Sequence, residues 1–163
     1  MMIRIGALLL AIPPMGLIAG ELAIQKTWSG IIRLQQGPFG REPRTKPSPL
    51  TVVQDAKSYT RFLSRIPSKQ ISRTRPAPPN KDPLLKKPAV DFAKSTLLTI
   101  DRPAMARPVF KRIIENKKEV VVSVEFPREF PAARPIDIGT YTAVLIPKTK
   151  KPVRLQLIES GIK

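Results

Sequence analysis

The stretch "VFKRIIENKKEVVVSVEFP", Val109 to Pro127, decides the fold class. In its second half Val120, Val122 and Val124 fall on one face of an extended chain, and Val121, Ser123 and Glu125 on the other. Phe126 then returns to the first face. Strict alternation of this kind predicts a strand over Lys118–Pro127 in a sheet with one wet side. Val109–Asn116 reads as its hairpin partner, with the turn at Asn116-Lys117.

The neighbouring segments extend the β pattern. "STLLTID" (Ser95–Asp101) is a strand, as are "YTAVLIPK" (Tyr141–Lys148) and "VRLQLIE" (Val153–Glu159), which flank Lys150-Lys151-Pro152. Between them "EFPAARPIDIGT" is a loop broken by proline. Upstream, Ile24–Leu34, with Trp28 inside it, and Leu50–Gln54 are strand candidates. The segment joining these two, "QGPFGREPRTKPSP", holds Pro38, Pro43, Pro47 and Pro49 and reads as loop. In "DAKSYTRFLSRIP", Tyr59, Phe62, Leu63 and Ile66 line one helical face, Asp55 is a natural N-cap, and Pro67 is the expected stop. Lys57, Arg61 and Arg65 are expected to face water, and packing on a sheet is favoured over a membrane-surface helix. Residues 67–90 hold six prolines and six Lys/Arg and are expected to be a long, partly extended and mobile insertion. No internal repeat or heptad register is present. The class that follows is α+β, mostly β: a small antiparallel sheet or sandwich with one short packed helix and long proline-rich loops.

Composition bounds the chemistry. The chain has 163 residues, 19 prolines, no histidine and no cysteine. Ser-His-Asp, Cys-His and zinc-thiolate sites are therefore excluded, and no disulfide constrains the compartment. No Ser-Lys or carboxylate pair is spaced for catalysis, so no catalytic residue, cofactor or metal ligand is assigned. The net charge is +17, with 15 Lys/Arg against 4 Asp/Glu in residues 1–90 and 14 against 8 in residues 91–163. Such a field draws polyanions or simply keeps the chain soluble. Interleaved aromatics that would read nucleic acid are missing, so nucleic acid is the less favoured partner.

The opening "MMIRIGALLLAIPPMGLIAGELA" places Arg4 before the apolar run Ile5–Ile12, with Ala19-Gly20 following. That layout matches a secretory signal over residues 1–20, and Pro13-Pro14 shortens any span. The alternatives are a membrane anchor over residues 5–20 or a buried core helix. Residues 21–49 then form an N-terminal strand and proline-rich linker, and residues 50–159 a β-rich domain carrying the basic insertion at 67–90.

At the insertion's end lies "KPAVDFAKSTLLTID". Asp91 is suited to an Asx-turn or cap, with Val90 and Phe92 packing under the sheet. The order "LTVVQDAKSYTRFLSRI", "AVDFAKSTLLTID", "EVVVSVEFP" and "YTAVLIPK" resembles the C-terminal domain named for PrcB, the accessory subunit of a bacterial surface protease complex. The resemblance spans roughly Leu50 to Leu157, and its motif residues are Val90, Asp91, Phe92, Tyr141, Val144, Ile146, Pro147 and Lys148. One departure is "RPAMARP", where relatives carry a glycine-bearing turn. The resemblance implies a small β-rich accessory or binding domain in exported proteins, and no catalytic residues. The function expected is thus a non-catalytic binding or accessory protein of the bacterial envelope, possible assistance to a protease included. The alternative is a basic nucleic-acid-binding protein, with an enzyme the least supported. The expected location is periplasm, cell surface or exterior. The partner would be an envelope or extracellular protein, met by strand addition at an edge such as Tyr141–Ile146, or an anionic lipid or polysaccharide surface met by 67–90.

Overall fold

The computed structural model describes residues 20–34, 49–72, 75–128 and 137–158. The segment expected to be a signal or anchor lies outside them except for Gly20, as do nearly all of the 36–49 loop and residues 129–136.

The elements in chain order are β1 Gly20–Glu21, β2 Lys26–Arg33, β3 Leu50–Val53, α1 Ala56–Leu63, a 3-10 turn Pro83–Lys86, β4 Ser95–Arg102, β5 Val109–Glu115, β6 Val120–Glu125, β7 Ile138–Pro147 and β8 Val153–Ile158. They form two four-stranded sheets: an outer one in the order β1-β5-β6-β8 and an inner one in the order β2-β7-β4-β3. The chain is α+β and mostly β.

Three layers explain the burial. Leu98, Ile100, Val144 and Ile146 of the inner sheet meet Ile113, Val120, Val122 and Val124 of the outer sheet in one core. On the inner sheet's other face Ile32, Val53, Leu97, Tyr141 and Leu145 meet Tyr59, Phe62 and Ile66 of the α1 segment and Leu84 of the 3-10 turn. β7 serves both cores by alternation, Tyr141, Ala143 and Leu145 facing one and Val144 and Ile146 the other. A middle sheet covered on both faces requires near-continuous apolar strands, which is what β4 and β7 supply.

The outer sheet keeps its far face toward solvent, as the alternation in β6 predicts. Its charged side chains pair across strands: Lys111 with Glu125 at 2.6 Å, Arg112 with Glu21 at 3.4 Å and Arg154 with Glu119 at 3.0 Å. Val121 and Ser123 are nonetheless only 9% exposed on that face. They sit in register between Ile114 and Arg154, and between Arg112 and Gln156, in a strand flanked on both sides. The hairpin turn is longer than the two residues expected. Asn116 Oδ1 accepts from the backbone of Lys118 at 2.9 Å and Glu119 at 2.8 Å. β8 runs parallel to β6, the one departure from an antiparallel arrangement among the described strands. The link between β7 and β8 crosses from one sheet to the other, so the two strands never pair.

Asp55 caps α1 as expected, its carboxylate accepting from Ser58 N at 2.8 Å and Ser58 Oγ at 2.9 Å. Those bonds, the backbone one first, hold the carboxyl below its ordinary 3.8. Three details differ from the sequence reading. The helix ends at Leu63, before Pro67, because Arg65 N and Ile66 N turn back to Phe62 O and Leu63 O. Arg65 does not face water: it is half-buried in a 2.6 Å ion pair with Asp101 on β4. The insertion at 67–90 is not a free tether. Lys69 bridges Pro79, Gln70 N donates to Pro78 O at 2.9 Å, and Asn80 N donates to Ser68 O at 2.8 Å, making a small hairpin. Beyond it Leu84 is wholly buried, a contribution of about 2 kcal/mol that docks the segment on the inner sheet.

The "RPAMARP" turn holds no positive-φ residue among its described positions. Threonines on β7 shape it instead: Thr140 Oγ1 donates to Ala104 O at 3.0 Å or Ala106 O at 3.2 Å, and Thr142 Oγ1 to Pro108 O at 2.6 Å.

Candidate functional site

β2 is an edge strand of the inner sheet, antiparallel to β7 with Gly30 opposite Tyr141. Gly30 is needed for close approach, because a Cβ there would overlap Asp82 Oδ2. Into the space that Gly30 leaves open comes the buried carboxylate of Asp82. The Tyr141 hydroxyl donates to Asp82, 2.9 Å from Oδ1 and 2.8 Å from Oδ2, while Leu84 N donates to Oδ1 at 2.9 Å. Asp82 N in turn donates to Asn80 Oδ1 at 3.1 Å, and Asn80 Nδ2 to Pro67 O at 2.8 Å. The pair thereby fastens the Asn80–Leu84 stretch, and through Asn80 the Pro67 end of the segment, to β7. Burial first, and then the Asp82 hydrogen bond and charge, push the Tyr141 phenol far above its ordinary range. Edge-on contact with Phe62 at 5.3 Å closes the phenol's other side.

This pair is a fastening. Its phenol stays protonated and its carboxylate is occupied by donors. Among the described residues no cluster of metal-ligating side chains occurs, and no helix is long and apolar enough to cross a membrane.

What the fastening shapes is a groove. One cleft of about 400 Å³ is lined by Ser29, Gly30 and Ile31 of β2, with Asp82, Met105 and Arg107 around it. A second of about 340 Å³ continues past Arg33, Lys69 and Asp137, and the two share Gln70 and Ile71. Toward the first cleft β2 turns backbone that has no partner among the described residues, whereas at the second Arg33 is matched by Arg65, which accepts its N–H and donates Nε to its carbonyl at 3.1 Å. Leu34 N donates to Asp137 O on the β7 side, whereas Arg33 N donates to Arg65 O on the opposite side, each at 2.8–2.9 Å. Alternation along the strand directs the N–H and C=O of Ser29 and Ile31 to the same side as those of Arg33. Among the described residues no strand pairs with β2 there. Arg107, on the far wall, donates to Ser29 Oγ at 3.1 Å.

The motif residues named from the sequence divide between two places. Val90 and Phe92 pack against the helix-side core, Phe92 edge-on to Tyr59 at 5.6 Å. Asp91 Oδ1 accepts from Ala93 N at 2.9 Å, the Asx-turn expected of it. Tyr141 joins that core, whereas Val144 and Ile146 face the outer sheet. Pro147 pairs with Ser95 at the end of β7, and Lys148 N donates to Lys94 O at 2.8 Å. One expectation fails outright. Tyr141–Ile146 is no edge: β7 lies between β2 and β4, with Tyr141, Val144 and Ile146 wholly buried. The open edge passes to its neighbour β2.

Asp82, Gly30 and Arg107 were not singled out from the sequence. Asp82-Pro83 carries a usable signal, a short acid before a proline at the start of a turn, and Asp82 does cap Pro83–Lys86. Nothing local marks Gly30, whose role is set by an acid elsewhere in the chain. No family model, curated protein or solved structure matches the chain.

Proposed function

We propose that this chain is a non-catalytic binding module of an exported protein, and that it holds an extended segment of a partner protein along the free edge of β2. One observation carries the reading: the backbone groups of Ser29 and Ile31 face a walled groove with no strand beside them among the described residues. An extended segment laid there would complete their hydrogen bonds and continue the inner sheet, while side chains on the walls would select it. The Asp82–Tyr141 fastening would keep the hairpin wall in place, so the site is pre-organised rather than formed on binding. Export rests on the layout of Arg4, Ile5–Ile12 and Ala19-Gly20, and the resemblance to the PrcB C-terminal domain runs in the same direction.

Two measurements test the reading. Fractionation of the native host with intact mass should find the protein in the envelope or outside the cell, shortened by about twenty N-terminal residues. Full-length protein in the cytosol would overturn export. For the edge, extended peptides selected on the immobilised protein should slow amide exchange at Ser29 and Ile31. Protection elsewhere with those amides unchanged would remove β2 as the binding strand.

A further inference from the structure

We propose that the segment held on β2 is acidic, with aliphatic residues interspersed; the proposal rests on the strand-addition reading above. On the outer sheet Lys111, Arg112, Lys151 and Arg154 each meet a glutamate, whereas Lys117 and Lys118 in its hairpin turn meet none among the described residues. Along the groove stand Arg33, Lys69, Lys81 and Arg107, and among the described residues none of these is ion-paired. Two carboxylates share the groove with them. Asp82 is buried and committed to Tyr141 and Leu84 N, which leaves exposed Asp137 at the far end.

The walls repeat one composition. In the first cleft each carries one cation and one exposed apolar side chain: Lys81 with Ile71, 42% exposed, on the hairpin side, and Arg107 with Met105, 40% exposed, on the turn side; Lys69 adds a second cation to the hairpin side farther along. A strand added to β2 sends successive side chains to opposite walls, so each wall would receive carboxylates and aliphatic groups from alternate positions. A second copy of this chain fits poorly, since two bodies of net charge +17 repel. Cations at a groove rim speed encounter with an acidic segment and select its sign, while the β2 backbone holds it.

The probe is a fluorescent peptide of two Glu-Glu-Val-Val repeats, which places both residue types on each face of a strand. It is compared with the Gln-Gln-Val-Val and Lys-Lys-Val-Val versions, with the acidic peptide N-methylated at alternate residues, and with single-stranded DNA as competitor. Anisotropy on the intact protein should show the acidic peptide binding at least about tenfold tighter than the glutamine one, and the lysine one not at all. Lys81→Glu with Arg107→Glu should reverse that order, although the peptide comparison needs no variant. Equal binding of the glutamate and glutamine peptides, both blocked by N-methylation, would overturn the acidic preference and leave the edge reading standing. Binding indifferent to N-methylation, or displaced by DNA as readily as by peptide, would reduce the site to charge alone and overturn the edge reading too. No binding by any peptide would sink both.

Discussion

The Tyr141 hydroxyl and the Asp82 carboxylate, 59 positions apart in the chain, meet in the core at 2.8 Å and 2.9 Å to the two oxygens. Removing one member leaves the other buried without its partner, which costs more than the bond itself contributes. Tyr141→Phe should therefore destabilise the domain by about 2 kcal/mol, read from urea midpoints at unchanged slope. Asp82→Asn keeps an acceptor for Leu84 N and should cost less. The double variant should show a coupling of about 1 kcal/mol or more, and additive losses would mean that the pair does not act as a unit.

The same phenol imposes a pH dependence. In the fold it stays protonated above 10.0, the ordinary value at which the unfolded chain ionises. Its contribution is whole below that pH and is lost as pH rises past it, at up to about 1.4 kcal/mol per pH unit. Wild-type stability should then fall more steeply above pH 10.0 than that of Tyr141→Phe. Parallel alkaline profiles would show that Tyr141 ionises freely.

Gly30→Ala places a methyl group where Asp82 Oδ2 sits, with the Tyr141 ring 3.1 Å away. Relief requires the Asp82 segment to move off β2, and a loss of about 2–3 kcal/mol is expected. The accompanying shift should appear in the amide resonances of Asp82, Leu84 and Ser29. A neutral substitution would show that the 80–84 segment is not held against β2.

Two substitutions separate the insertion from the sheet. Leu84→Ala opens a cavity in the helix-side core and should cost about 2–5 kcal/mol in thermal or urea unfolding. A free tether would lose nothing. Val144→Pro breaks the ladder of a strand bonded on both sides, so it should unfold the whole domain, whereas Ser29→Pro at the β2 edge should leave a folded protein. A soluble, cooperatively folding Val144→Pro variant would contradict the central position of β7.

Local patterns carried much of the architecture before any contact was known. The alternation over Val120–Val124 placed β6 and its core face, and the spacing of Tyr59, Phe62 and Ile66 placed the packed face of α1. Asp55 as a cap and Asp91 as an Asx-turn were readable because each acts on backbone two or three residues away. The absence of histidine and cysteine excluded whole classes of chemistry at once. Other features were decided only by tertiary structure. Alternation says which side chains share a face, but not which strand lies beside which, so β7 could be taken for an edge when β2 and β4 enclose it. The parallel course of β8, the ion pair of Arg65 with Asp101 and the docking of Leu84 are contacts between distant segments, and no local period encodes them. Asp82-Pro83 marks the start of a turn, but nothing in the sequence around Asp82 marks its burial. It is buried because Gly30 leaves room and Tyr141 brings a hydroxyl, and those residues meet it only when the sheet has formed.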